Sequence, residues 1–297
     1  MTYSSTHKIP GKEILPMKFS RQFLTVGFAL CSIFAACSSD SSSAGISPIR
    51  DKTIGGFAEK GPFLEGTTVT LYELDGKTFE KTGNSFSGKV EGKRGAFSIP
   101  NVNLASPYAL LEVSGTFLGE TAVDYDSMTL YALTDLRNRE NANVNFLTHL
   151  EYGRTLKLLR EGKTFSEAKT QALNEILSAF GFSKTDWNAE DLTIFGSRDE
   201  DAELLFLSAR FFVYSLSTNS SLDSLVENFV RDMDDDGVWN DDSTKMNFVY
   251  MQFPTGMIRG GMESWQIADT IPDFEKYYRI FCESVLGPEI GSRCLPN

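Results

Sequence analysis

The chain has 297 residues, 41% hydrophobic and 12% aromatic, enough to bury a sizeable core in one large domain or two ordinary ones. Its 40 acidic groups outnumber its 28 basic ones for a net charge of −12, and no Lys/Arg-rich stripe interrupts the excess. Such a surface repels phosphate backbones, which argues against a nucleic-acid partner.

Met17, Lys18 and Arg21 precede an apolar run, Phe23 to Ala36, that ends in small residues. Crossing a bilayer takes about 20 apolar residues in a helix, more than this run holds. A short positive segment, a short apolar core and small residues are the parts of a secretory signal, so residues 1–36 are expected to be a signal peptide that starts functionally at Met17. Removing it takes away Lys8, Lys12, Lys18 and Arg21 but only Glu13, which makes the remainder more acidic still.

Phe34-Ala35-Ala36-Cys37 resembles the lipobox of bacterial lipoproteins, with Phe34 where leucine is commoner. The resemblance implies cleavage before Cys37 and attachment of acyl chains to it, a stable anchor when two or more are present. Residues 37–52 are then the lipidated cysteine and a Ser-rich flexible tether. Ser38, rather than an aspartate, follows the cysteine, which by enteric sorting points to the outer membrane.

From Ile54 apolar and polar residues alternate between glycines. TTVTLYEL (Thr67–Leu74) reads as a strand, and Asp75-Gly76 as a hairpin turn into Thr78–Thr82. Gly95–Val102 and Ser106–Gly115 supply two further strands. The order Gly56, Gly61-Pro62, Gly66, Gly95-Ala96-Phe97 and Tyr108-Ala109-Leu110 resembles carboxypeptidase-regulatory-like, transthyretin-like modules. That resemblance covers about residues 53–123 and implies a non-catalytic β-sandwich, and the β domain is expected over residues 53–140.

After Asn141 the apolar period becomes helical. Asn145 or Thr148 caps a first helix that stops at Gly162, and Thr164 with Glu167 forms a capping box for a second ending at Gly181. Glu200–Leu216 is apolar nearly all round and reads as the central helix. Helices near Leu222–Arg231, Ser243–Gln252 and Pro272–Leu286 complete a bundle over residues 141–297. The expected fold is therefore α+β in two domains, a small antiparallel β-sandwich followed by an α-helical bundle.

The chemistry-bearing residues are few. His149 is the one histidine after the signal, and neither a Gly-x-Ser-x-Gly elbow, HExxH, Walker A nor GxGxxG is present. Cys282 and Cys294, twelve apart in an exported chain, read as a disulfide worth about 3 kcal/mol. Asp232, Asp234, Asp236, the Val238 carbonyl and Asn240 follow the start of an EF-hand-type loop with Gly237 at its sharp turn, Asp241 or Asp242 replacing the glutamate that Ser243 displaces. That loop is the candidate Ca²⁺ site. The alternative is a solvated acidic loop in which Asp241 or Asp242 caps the next helix. Trp187, Trp239 and Trp265, or Tyr72, Phe79, Phe86 and Phe117, are candidate sugar-stacking faces, with packing as the competing role.

The segments Gly56–Phe79 and Tyr131–Arg154, with the lipobox and the acidic loop, are similar to a set of paralogous lipoproteins of fibre-degrading bacteria. The resemblance implies an envelope protein and no particular reaction. The expected function is a membrane-anchored, non-catalytic binding or structural module whose partner is a polysaccharide or envelope protein. The rival expectation is an exported hydrolase using a carboxylate pair.

Overall fold

A computed structural model describes residues 48–121, 125–251, 254–265 and 273–291, all within one compact unit. Cys37 with its lipobox and tether, Pro272, and Cys294 lie outside the described residues.

Seven strands come first: β1 (Ile49–Glu59), β2 (Thr68–Leu74), β3 (Lys81–Glu91), β4 (Ala96–Leu104), β5 (Tyr108–Leu118), β6 (Tyr125–Asp135) and the two-residue β7 (Val144–Asn145). They form one sheet in the order β6-β5-β2-β3-β4-β1-β7. Neighbours are antiparallel except β1 and β7, which pair in parallel through Ala58↔Val144 and Glu59↔Asn145. The β7 edge returns to β6 at the other end, so the sheet nearly closes into a barrel.

The expected antiparallel sandwich is therefore corrected to a single mixed, nearly closed sheet. Alternation shows that a strand has two faces, not what covers each. In β5, Ala109, Leu111 and Val113 enter the main core, while Leu110 on the opposite face joins Leu133, Leu158, Phe165 and Ala172. Helices cover that outer face where a sandwich would place a second sheet. The hairpin between β2 and β3 is also looser than a two-residue turn. Asp75 Oδ1 accepts from the amides of Lys77 and Thr78, making an Asx turn, and β3 begins only at Lys81.

The helices are α1 (Phe146–Arg160), α2 (Phe165–Ala179), α3 (Asp199–Thr218), α4 (Leu222–Asp236), α5 (Asp242–Tyr250), α6 (Thr255–Ser264), α7 (Phe274–Leu286) and the short α8 (Pro288–Gly291), with a 3-10 turn at Ala189–Asp191. Asn145 is both the last residue of β7 and the N-cap of α1, in a reciprocal capping box with Thr148; Thr164 and Glu167 do the same for α2. On α3 an unbroken run from Leu204 to Ser215 is buried, as expected of a central helix. Its Phe211 and Phe212 meet Phe146 and Phe117, so strands and helices share one continuous core.

Cys282 is buried on α7. Trp239 and Trp265 are buried, and Trp187 packs against the same core. Phe117 is fully buried and Phe79 packs on Tyr108 and Phe165, so neither aromatic set presents a shared open face.

Candidate functional site

Three elements converge on one groove of about 420 Å³: β6, α1 and α4. Thr129 and Tyr131 alternate along β6 with the core residues Met128, Leu130 and Ala132, which turns them to the outer face. His149, Tyr152 and Gly153 follow at i, i+3 and i+4 on α1 and share a face. Asp223, Glu227, Val230 and Asp234 form a stripe along α4, beside the buried stripe of Leu222, Val226, Phe229 and Met233.

The first two elements build an aromatic wall. Tyr131 stacks against His149, with centroids 5.7 Å apart at 26°, and against Tyr152, 4.9 Å apart at the same tilt. Burial raises the pKa of both phenols, so they stay neutral hydrogen-bonding groups at physiological pH. The His149 imidazole is pushed down to about 4, because burial disfavours its cation. It is therefore neutral at pH 7, and its buried Nδ1 has no hydrogen-bond partner among the described residues.

The α4 wall carries the carboxylates of Asp223, Glu227 and Asp234 together with Arg231. Burial lifts Asp234 to about 6, against the opposing pull of Arg154 and Lys157. Its Oδ1 is buried without a hydrogen-bond partner among the described residues. Burial, then the neighbouring charges of Asp126 and Glu227, raise Asp223 as well. Gly153 makes the room: a Cβ there would lie 2.1 Å from Asp234 Oδ2.

Negative charge at a helix C-terminus opposes the helix dipole, so the Asp-rich end of α4 needs compensation. Helix α1 supplies it. Arg154 Nη1 donates to the carbonyls of Asp234 and Asp235, Lys157 Nζ donates to the Asp235 carbonyl, and Arg154 also grips Glu175 with Nε at 2.6 Å and Nη2 at 3.1 Å. These bonds fix the position of Asp234 relative to His149.

The carboxylates of the acidic run make separate hydrogen bonds. Because α4 continues through Asp236, its carboxylates point to separate tasks. Asp232 Oδ2 accepts from the amides of Asn240 (2.5 Å) and Asp241 (3.3 Å). Asp236 Oδ1 accepts from the Val238 amide, the Val238 carbonyl accepts from Asn240 Nδ2, and Asp234 faces the groove. Asp241 is the N-cap of α5, accepting from the Thr244 amide at 3.0 Å. Among the described residues no three His, Cys, Asp or Glu side chains come together as a metal centre requires.

Two other carboxylates do approach each other. Lys169 lies between Glu151 and Glu190, and all three are almost wholly buried. Burial lifts Glu151 to about 7 even with the lysine beside it. Arg139 and Lys169 line a neighbouring 300 Å³ recess together with Glu190, but Glu151 does not reach it. The lysine occupies the space between the carboxylates where a scissile bond would have to sit.

Sequence reasoning singled out His149 and Asp234 separately and missed Tyr131, Tyr152 and Asp223. The i, i+3, i+4 spacing on α1 and the α4 stripe are visible in the sequence. That the two helices face each other across β6 is not. Comparison with protein-family models, curated proteins and solved structures returns no match.

Proposed function

We propose that this chain is an envelope binding module, tethered by acyl chains on Cys37, and that the groove between β6, α1 and α4 takes a hydroxyl-rich saccharide. The carrying observation is the pairing of a stacked Tyr131–His149–Tyr152 wall with two buried, unpartnered polar atoms, His149 Nδ1 and Asp234 Oδ1. Sugar rings present apolar C–H faces and hydroxyls that both donate and accept, so they match a wall of aromatic edges and faces beside a neutral imidazole and carboxylates.

Binding without turnover fits the layout of the acids. Asp223, Glu227 and Asp234 all stand on one helix, α4, so none faces another acid across the groove. Glycoside hydrolysis uses two carboxyl groups flanking the bond about 5–9.5 Å apart. The wall facing α4 carries rings in place of a second acid.

The test is a panel of plant and envelope polysaccharides presented to the purified protein, with binding and released sugar measured together. Retention of a saccharide, weakened at least tenfold by Tyr152→Ala or Asp234→Asn, supports the proposal. Released sugar abolished by a single carboxylate change overturns the binding reading in favour of a hydrolase. Binding that is indifferent to both substitutions removes the groove from the account. For the anchor, a Cys37→Ala protein that stays with the membrane fraction overturns lipidation at that residue.

A further inference from the structure

Lys60, just after β1, and Glu120, just after β5, form a charged pair closed off from solvent. Lys60 Nζ lies 2.5 Å from Glu120 Oε1, and both side chains have no solvent exposure. The amine is boxed by the rings of Phe117, Phe146 and Phe212, at 5.5, 5.0 and 5.2 Å from their centroids. Its other contact is the Ser208 carbonyl at 3.0 Å. Glu120 Oε2 is buried without a hydrogen-bond partner among the described residues.

Ser208 braces the pair from the helical side. Ser208 Oγ is 2.5 Å from the Lys60 carbonyl oxygen and 2.6 Å from Glu120 Oε1. The hydroxyl of Ser208 is shared between these two acceptors and bridges them. Nζ and Oε1 are close enough for a proton to pass directly between them. Burial favours the neutral amine, pulling the Lys60 pKa down because the ammonium is cut off from water. An ion pair in so apolar a box is costly to maintain, whereas a neutral amide there is not.

We propose that Lys60 and Glu120 are joined by an intramolecular isopeptide bond. The Nζ lone pair attacks Glu120 Cδ, forming the Nζ–Cδ bond as the Cδ–Oε1 bond breaks. Oε1 takes one proton from the Lys60 ammonium before the attack and a second from Nζ as the bond breaks, both across the 2.5 Å contact, and leaves as water. Oε2 becomes the amide oxygen, and the remaining N–H stays directed at the Ser208 carbonyl. No oxidant, reductant or cofactor enters. Fixing both groups in contact removes the encounter entropy that makes this condensation slow in solution.

The experiment is mass spectrometry of the purified full chain and its Lys60→Arg variant, both fully reduced, so that any N-terminal processing cancels in the comparison. The wild type is expected to be lighter than the variant by the Lys-to-Arg difference and one further water. Its digest is expected to contain a branched peptide joining Lys60 to Glu120. A Glu120→Gln protein would release ammonia in place of water and reach the wild-type mass. Two masses that differ only by the side-chain replacement, with no branched peptide, overturn the proposal. That result does not depend on whether the variants fold, because the wild-type mass decides it.

Discussion

Replacing Gly153 with alanine tests how the groove is built. In an exposed helix interior, glycine to alanine ordinarily stabilises by about 0.5–1 kcal/mol, since alanine restricts the unfolded chain more. Position 153 is different. The new Cβ would lie 2.1 and 2.4 Å from the Asp234 carboxylate oxygens and 2.6 Å from its Cγ, inside van der Waals contact with all three atoms. Asp234 cannot retreat along α4, whose end is held by Arg154 and Lys157, so its side chain must swing away from His149. Overpacking of this kind costs about 1–3 kcal/mol, which cancels or outweighs the alanine gain. Urea unfolding should therefore show Gly153→Ala between neutral and about 2 kcal/mol destabilised. Two controls give the expectation its force. Gly260 sits on α6 with nothing within 4 Å of its would-be Cβ, so Gly260→Ala should stabilise by about 0.5–1 kcal/mol. Combining Gly153→Ala with Asp234→Ala should recover the alanine gain, a coupling of about 1–3 kcal/mol in the double-mutant cycle. A Gly153→Ala protein that is stabilised like Gly260→Ala, with no coupling to position 234, would refute the packing argument.

Other substitutions probe the buried charges. Burial lifts Glu59 to about 8 although Thr193 Oγ1 and the Ile194 amide both donate to it. The folded state therefore holds that proton more tightly than the unfolded chain, so the stability Glu59 contributes is complete below its unfolded pKa and is lost as pH rises through about 8. Melting temperature should fall from about pH 5 to about pH 8 and level off above it, and Glu59→Gln should flatten that slope; an unchanged slope would show that Glu59 is not its source. Lys169→Met leaves Glu151 and Glu190 buried without their shared cation and should cost about 3–5 kcal/mol in urea unfolding. A loss under about 1 kcal/mol would mean the two acids are held some other way. Because the acidic run is spent on helix ends and amides, melting should be the same in EDTA and in millimolar calcium. A rise of several degrees with calcium would mean that Asp232, Asp234 and Asp236 regroup around the ion.

The helices were legible where local chemistry decides them. The Asn145/Thr148 and Thr164/Glu167 boxes and the apolar run of α3 announce themselves in sequence. Helix α6 does not, because Gly256, Gly260 and Gly261 lower its propensity and only the burial of Ile258 and Met262 holds it in place. The sheet was misread because β5 is apolar on both faces, and no strand reports whether helices or a second sheet will cover it. The groove depends wholly on tertiary packing. Asp234 belongs by sequence to a calcium-like run with Asp232 and Asp236, yet three residues within little more than one helical turn point in different directions. Helix α4 had been expected to end at Arg231; its continuation to Asp236 is what redistributed them.

The position of β1 bears on the anchor proposed at Cys37. The strand nearest that end is flanked on one side by the antiparallel ladder to β4 and on the other by the parallel pairing with β7, so it is not an edge. A pull entering at Ile49 would load the ladder to β4 first and would reach the pairing with β7 only at Ala58 and Glu59. Under the proposed anchoring, a load would thus enter along β1 and its ladder to β4, while the groove is carried by β6, α1 and α4.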